Sequence, residues 1–491
     1  MTPQRGNDGS IDTRLQGDFP VVSAESAADL VSDDATVLVS GFGSVGYPKE
    51  VPLSLANSNR DLELTIVSGG SVGGEIDEQL VEANAITRRY PYQALKTARE
   101  AINDRRIAFS DRKVASLGDE VQYGGLVDPD VAIIEAVAVG KDWLIPSTSI
   151  GQTPAFVNAA PKLLVEVNSA QPLALQSLHD NYLPGKPPNR DPIPLTEPDG
   201  RIGSSRVEFD PSKLVGVIET DRSDTTYSFR DSTEDDQAIA VNLRKFLTEE
   251  MNRTPVFDDA LHLQFGVGSL GNALMGELAE FDPDGRDVIY FGEVIQDGLL
   301  EMLDAGHIES ASATALALSE EGQAKLFENI DRYGEDIVLR PTNISNNPAL
   351  IDRFGVIGVN SALEIDLYGN VNSTHIRGTH VLNGIGGSND FNGNSLVSIC
   401  ALPSTLKGGD ISRIVPLTPH VDHTEHDIDV FVTEQGIADV RGCSPLERAR
   451  MIVDNCTHPK YRQDLREYLD RVEEQDGHIP QDPELARELF D

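Results

Sequence analysis

Asp287-Val-Ile-Tyr-Phe-Gly-Glu293-Val-Ile-Gln-Asp-Gly298 is the stretch from which the architecture is read. Residues 288–291 are β-branched and aromatic, the composition of a buried strand, and the run stops at Gly292. A carboxylate follows, then a segment containing Leu299, Leu300 and Leu303 that reads as a helix. Glu293 therefore stands at the carboxyl end of a strand. Open α/β sheets bind ligands at such ends, which makes it a candidate nucleophile or base. The plainer reading is an acid favoured by the dipole at a helix N-terminus.

Working outward, the same grammar recurs. Residues 261–265 run into Gly266-Val-Gly268-Ser-Leu-Gly271, and the strand before Glu293 comes about twenty residues later. In the first half, residues 35–40 lead into Gly41-Phe-Gly43-Ser-Val-Gly46, and 62–67 lead into Ser68-Gly-Gly70; 131–136 is a further apolar run. Short apolar runs alternating with longer helical segments predict an α/β fold with parallel sheets covered on both faces. The recurrence predicts two related α/β domains, 18–235 and 236–491, in keeping with a length of 491 residues that exceeds what one core serves. Near the junction, the acidic piece from Asp231 to Asp236 is expected to open a helix running to about Met251. Residues 1 to about 17 read as a mobile tail, and the proline-rich 183–200 as an irregular surface loop.

Aspartate and glutamate number 80 against 40 lysines and arginines, a net charge of −40. That charge repels nucleic-acid phosphates and anionic membranes, so neither is an expected partner. The acids are spread along the chain and arginine outnumbers lysine, which reads as a heavily hydrated halophilic surface. Cys400, Cys443 and Cys456 form no Cys-x-x-Cys pair, which argues against a disulfide framework or thiolate zinc site and for a reducing cytoplasm. No stretch approaches the roughly 18 apolar residues of a membrane span, and the N-terminus has no apolar signal core.

Both glycine turns match the dinucleotide fingerprint, in which backbone amides at a helix N-terminus approach an anion. They do not say which anion. An NAD enzyme would carry an acid about twenty residues on to hold a ribose; Ser68-Gly-Gly70 fits poorly and Glu293 tolerably, so an NAD-dependent oxidoreductase stays open at this point. A third cluster, Asn383-Gly-Ile-Gly-Gly387-Ser-Asn-Asp-Phe391, can present successive N–H groups to an oxyanion or a thioester carbonyl, or be a tight turn needing positive φ. Asparagine-rich pieces near it, 340–348 and 366–374, can donate to a developing oxyanion or cap turns.

Taken together, Glu293-Val-Ile-Gln-Asp-Gly298, Ile344-Ser-Asn-Asn-Pro348, Tyr368-Gly-Asn-Val-Asn-Ser-Thr-His375, the 383–391 cluster, His420-Val-Asp-His-Thr-Glu-His-Asp427 and Val432-Thr-Glu-Gln-Gly-Ile-Ala-Asp439 resemble the acetyl-CoA hydrolase/transferase family. Gly41 to Lys49, Arg88-Arg-Tyr-Pro-Tyr92, Thr148-Ser-Ile-Gly151 and Asn168-Ser-Ala-Gln-Pro172 continue the resemblance through the first half. It implies a class I CoA-transferase of two similar α/β domains, with catalysis in the second and a homodimeric assembly. By resemblance Glu293 is the nucleophile on acyl-CoA, and Gly266, Val267, Gly268, Ser269 and Leu270 form a segment contacting coenzyme A. Asn383, Gly387 and Lys407 match further CoA positions; Gly387 supplies an N–H to the carbonyl oxygen, Asn346 assists there, and Glu434 looks like a second active-site carboxylate. The family often has histidine where this chain has Asn347, which puts only the neighbouring contact in question.

The chemistry wants these parts on its own account. A carboxylate attacking a thioester forms an oxyanion at each step, and losing one oxyanion donor costs about 10²–10³ in rate. Glu293 must be ionised to attack, so nearby amides should stabilise its charge. Coenzyme A enters as a substrate, alongside small carboxylates, and no metal or bound cofactor is expected. His420, His423 and His426, with Asp422 and Asp427, are spaced as metal ligands could be, but the preceding Ile-Val-Pro-Leu-Thr-Pro suggests a strand or loop; a hydrogen-bonded network is the expectation. Three alternatives to CoA transfer follow: hydrolysis of acetyl-CoA, where water intercepts the intermediate, the oxidoreductase, and a CoA-binding regulatory protein without turnover.

Overall fold

The computed structural model describes residues 11–225 and 230–489. The chain packs into two compact units. The first runs to Ser228 and takes in Phe291–Leu300 and Ser310–Leu350; the second holds Phe229–Tyr290, Glu301–Glu309 and Ile351–Asp491. Packing thus does not follow a single cut near residue 235, because the chain returns to the first unit twice after it.

In the first unit seven strands lie in the order Leu214–Thr220, Leu163–Asn168, Val131–Gly140, Thr36–Val39, Leu64–Ser68, Ile86–Tyr90, Ala108–Phe109, each parallel to its neighbour. The side-chain period of two sorts this sheet into two cores. Val37, Val39, Leu64, Ile66, Val131 and Ile133 join one cluster with Val51, Leu55 and Ile76 from helical segments. Leu38, Val67, Ala132, Ile134 and Val165 join the other, with Leu117, Val121 and Phe156. Runs apolar at every position, such as Val131–Gly140, are what a sheet covered on both faces requires. The chain order reverses between Thr36–Val39 and Val131–Gly140, the switch point at which connections leave in opposite directions and open a crevice.

In the second unit Asp287–Phe291, Ala260–Phe265, Ile357–Asn360, Val397–Ala401 and Val430–Thr433 follow one another in parallel, and Gly436–Asp439 closes the edge antiparallel. Glu234–Arg253 forms the helix expected after the acidic piece, opened by a capping box in which Thr233 and Asp236 bond each other's backbone N–H. Ile365, Phe431 and Ala438 pack with Ile452, Val453, Leu465 and Leu469 of the last long helices. Among the described residues no helix is long and apolar enough to cross a membrane.

Two expectations are corrected. The tail is held from residue 11 on: Leu15–Gln16 pairs in parallel with Val139 and Gly140, and the Arg14 guanidinium donates to the carbonyls of Val137, Asn168 and Gln171 at 2.9, 3.0 and 2.7 Å. Residues 1–10 lie outside those described. The proline-rich segment is irregular, but it is not only surface. Leu195 is fully buried, and the Pro198 and Gly200 carbonyls accept from the buried guanidinium of Arg340.

Candidate active site

Glu293 follows Asp287–Phe291 after one residue, Gly292. Its backbone is fixed by the neighbouring strand Ser310–Ala313: the Gly292 N–H donates to Ser312 O and the Thr314 N–H to Glu293 O, both at 2.9 Å. Beyond that strand lies Ile337–Leu339, in parallel register, which leads through Pro341 into the short helix Thr342–Ser345. This carries Asn346 to the nucleophile candidate. Asn346 Nδ2 donates to Glu293 Oε2 at 2.7 Å, and Ser345 Oγ donates to Asn346 Oδ1 at 2.7 Å, so the amide oxygen is engaged and the NH2 faces the carboxylate.

That amide is the sole hydrogen-bond partner of the Glu293 carboxylate among the described residues. Desolvation lifts its carboxyl from 4.5 to about 7, with the Asn346 hydrogen bond pulling the other way. Glu293 is thus a half-buried carboxylate, raised by desolvation and offset by one neutral donor, the electrostatic condition of a nucleophile whose charge is weakly stabilised before attack.

The remaining sequence-nominated residues lie in the second unit, with Gly266 and Glu434 directly after two of its parallel strands. Gly266 ends Ala260–Phe265, donates its N–H to Val359 O at 2.9 Å, and is followed by Val267, 41 % exposed. Gly268 has φ +139° with open space where a Cβ would stand, and Ser269 and Leu270 begin the helix Ser269–Leu278 without a side-chain cap. Amides left uncapped at a helix start suit an anion. Asn360 lies against Gly266, its Oδ1 3.6 Å from that glycine's would-be Cβ, and donates to Asn392 Oδ1 at 2.8 Å. Asn392 closes the helix Ser388–Asn392 that Gly387 heads, so the two glycine loops meet through Asn360. The Gly387 N–H has no acceptor among the described residues, and Asn383 Oδ1 is buried without a partner there. Glu434 follows Val430–Thr433 and is held by the Ser404 N–H at 2.7 Å, by Ser404 Oγ, and by Gln435 Nε2 at 3.0 Å. Lys407 sits exposed at the tip of the hairpin between Thr405–Leu406 and Ile411–Ser412, with φ +52°. Ser404 and Asn360 were not foreseen; each acts across a long sequence separation and carries no local signal.

The first glycine turn is used differently from the second. Its helix, Glu50–Ala56, has the N–H groups of Lys49, Glu50 and Val51 on the Glu166 carboxylate at 2.7, 3.1 and 2.7 Å, and Gly46 N–H on Asp224 at 3.2 Å. Lys49, fully buried, ion-pairs with Glu135 and, at 2.9 Å, with Asp224. The protein's own carboxylates occupy the place a pyrophosphate would take, which removes the physical basis for reading this turn as a dinucleotide site. Nor do the three histidines converge. His423 is buried with Ser388 Oγ at 3.3 Å from its Nε2, His420 bonds Asp422 at 3.1 Å, and the His426 side chain is 81 % exposed. Among the described residues no group of three or more His, Cys, Asp or Glu is arranged to hold a metal ion.

A carboxylate raised by desolvation after a strand of one unit, and helix-start amides without a side-chain cap in the other, are each parts that thioester chemistry with a carboxylate uses. The comparisons agree. The acetyl-CoA hydrolase/transferase N-terminal domain matches residues 14–219 and the C-terminal domain residues 322–469. The chain is 42 % identical over 472 residues to a succinyl-CoA:acetate CoA-transferase of Clostridium kluyveri, covering 95 % of this chain and 87 % of that one. It is 39 % identical to a propanoyl-CoA:succinate CoA transferase of Escherichia coli (94 % and 95 % covered) and 38 % identical to an acetyl-CoA hydrolase of Schizosaccharomyces pombe (92 % and 91 %). Among solved structures, RipA from Yersinia pestis shares the fold with TM-score 0.70 at 20 % identity, 94 % and 97 % covered. A 4-hydroxybutyrate CoA-transferase of Porphyromonas gingivalis does so with TM-score 0.64 at 20 % identity, 93 % and 97 % covered. The chain belongs to the acetyl-CoA hydrolase/transferase family and is an enzyme of the CoA-transferase and acetyl-CoA hydrolase type.

Proposed function

We propose that this enzyme moves coenzyme A from an acyl-CoA to a short-chain carboxylate of the acetate and succinate kind, with Glu293 as the covalent carrier. The observation that carries the reading is the desolvated Glu293 carboxylate, bonded by Asn346 at 2.7 Å, in a chain whose relatives include CoA-transferases at 42 % and 39 % identity. In the first step the carboxylate attacks the thioester carbonyl, forming a mixed anhydride as the CoA thiolate leaves. The thiolate attacks the Glu293 carbonyl of that anhydride, releasing the donor's carboxylate and leaving a glutamyl-CoA thioester. An acceptor carboxylate then attacks this thioester, and the thiolate returns to the acceptor's acyl group, freeing Glu293 and the new acyl-CoA. Gly387 N–H and the Asn346 amide are the donors assigned to the oxyanions, Glu434 is assigned as a second active-site carboxylate, and 266–270, Asn383 and Lys407 are assigned to coenzyme A. No bound cofactor has a part in these steps.

Hydrolysis is the second reading, favoured by the 38 % identity to an acetyl-CoA hydrolase; it differs only in water taking the place of the acceptor carboxylate. Measuring CoA release from acetyl-CoA and from succinyl-CoA, with and without acceptor acid, separates the two. Transfer predicts acyl-CoA exchange that needs the acceptor and little free CoA without it. Free CoA released at the same rate without any acceptor would replace transfer by hydrolysis. The reading extends to a homodimer working in a salt-rich cytoplasm; the acid excess, 80 against 40, is its support for the salt, and light scattering across a salt series tests both.

A further inference from the structure

Arg340 has no part in the chemistry above, yet it is fully buried and stands between the two segments that supply the Glu293–Asn346 bond. Its Nε donates to Ser312 Oγ at 2.8 Å, on the strand whose Ser312 carbonyl receives Gly292 N–H. Its own backbone N–H donates to Ala313 O at 2.7 Å, and the chain beyond it runs through Pro341 to Asn346. The guanidinium then pairs with buried Asp180 and bonds the carbonyls of Pro198 and Gly200. Asp180 in turn accepts from the Ile202 and Gly203 N–H groups at 2.9 and 2.6 Å. Arg201 donates to the carbonyls of Gly334 and Ile337 at 3.0 Å, and the Asp180 N–H donates to Leu339 O at 2.8 Å. The proline-rich segment is thus a strap fastened on both sides of the strand leading to Asn346.

Resting on the reading of Glu293 as nucleophile, we propose that Arg340, clamped by Asp180 and the 198–203 strap, is the positioning residue that sets the Glu293–Asn346 distance. The planar fork makes this possible. It delivers separate N–H groups to Ser312, to Asp180 and to the strap carbonyls, so the strand Ser310–Ala313, against which Gly292 and Glu293 are hydrogen-bonded, and the segment leading to Asn346 cannot slide past each other. A lysine keeps the charge opposite Asp180 but has no fixed fork. The charged groups about Arg340 are Asp180, Arg201 and Asp199; none of them bonds Glu293, so their effect reaches the nucleophile through Asn346.

The test is the pH profile of CoA transfer by the full chain for wild type, Ser312→Ala, Arg340→Lys, Asn346→Leu, the Ser312→Ala/Asn346→Leu pair and Glu293→Gln, with thermal melts alongside. Ser312→Ala removes one hydroxyl and is the variant that keeps the test open where Arg340→Lys fails to fold. The expected result is that Ser312→Ala and Arg340→Lys lower kcat, Arg340→Lys by about tenfold, within the roughly 10²-fold a 1 Å misplacement costs. KM for acyl-CoA stays within about twofold, and the acid limb moves in the same direction as in Asn346→Leu. The pair should be no worse than Asn346→Leu alone, because both act on one contact. An acid limb and kcat unchanged in Ser312→Ala, or a pair whose losses multiply, overturns the inference while inactive Glu293→Gln leaves the nucleophile reading standing. Active Glu293→Gln overturns both.

Discussion

Replacing Asn346 by leucine keeps the side-chain volume and removes the single amide that bonds the Glu293 carboxylate at 2.7 Å. A hydrogen bond to a charged group is worth about 1.5–3 kcal/mol. At about 1.4 kcal/mol per pH unit, the Glu293 carboxyl, already lifted by burial to about 7, should rise by a further one to two pH units. Attack needs the carboxylate, so in the wild type kcat/KM is expected to fall about tenfold per pH unit below about 7. In the variant the same fall should begin near pH 8 to 9, and at pH 6.5 the loss should be about 8- to 80-fold from ionisation alone. The assay is kcat/KM for acyl-CoA against a saturating carboxylate between pH 5.5 and 9.5. A limb that stays near 7, or moves to lower pH, refutes the claim that this amide stabilises the nucleophile's charge.

Glu293→Gln removes the charge of a half-buried, partly desolvated carboxylate. The wild-type carboxyl is raised from 4.5 to about 7 in the fold, so its burial costs nothing below pH 4.5 and its full cost, at most about 3 kcal/mol, above pH 7; urea melts should show the variant gaining stability from pH 5 to pH 8, and equal gains at both would contradict this. Gly46→Ala places a Cβ against Ser149, 2.8 Å from its backbone N, at φ +67°, which should destabilise by about 2–4 kcal/mol with the unfolding midpoint as the check. Ser404→Ala frees the Glu434 carboxylate from the hydroxyl and leaves the N–H bond at 2.7 Å; kcat should fall by about tenfold without loss of fold, and an unchanged kcat would remove Glu434 from the site.

The strands were legible because burial on both faces writes itself into consecutive apolar residues: 131–136 and 288–291 lie within Val131–Gly140 and Asp287–Phe291. Glycine turns were legible as turns and silent about their occupants. The first is filled by Glu166 and Asp224, 117 and 178 residues away, and no local pattern announces a carboxylate arriving from that distance. The same holds for Asn346, 53 residues beyond Glu293: the residues alone left it an oxyanion donor or a turn cap, the resemblance placed it at the carbonyl oxygen, and its bond to the Glu293 carboxylate had no local signal. Arg340 shows the limit most plainly. Nothing local to Arg340-Pro341 announces a buried guanidinium, which is made tolerable by Asp180 and the strap carbonyls that pair with it.

The central claim is that the Glu293 carboxylate carries coenzyme A covalently. Incubating the enzyme with acyl-CoA, reducing with borohydride and mapping the altered peptide by mass spectrometry tests it most directly. The account predicts reduction of residue 293 to the alcohol, dependent on acyl-CoA and absent in Glu293→Gln; an unmodified residue 293 in enzyme that borohydride has inactivated, or a reduced side chain elsewhere, contradicts it.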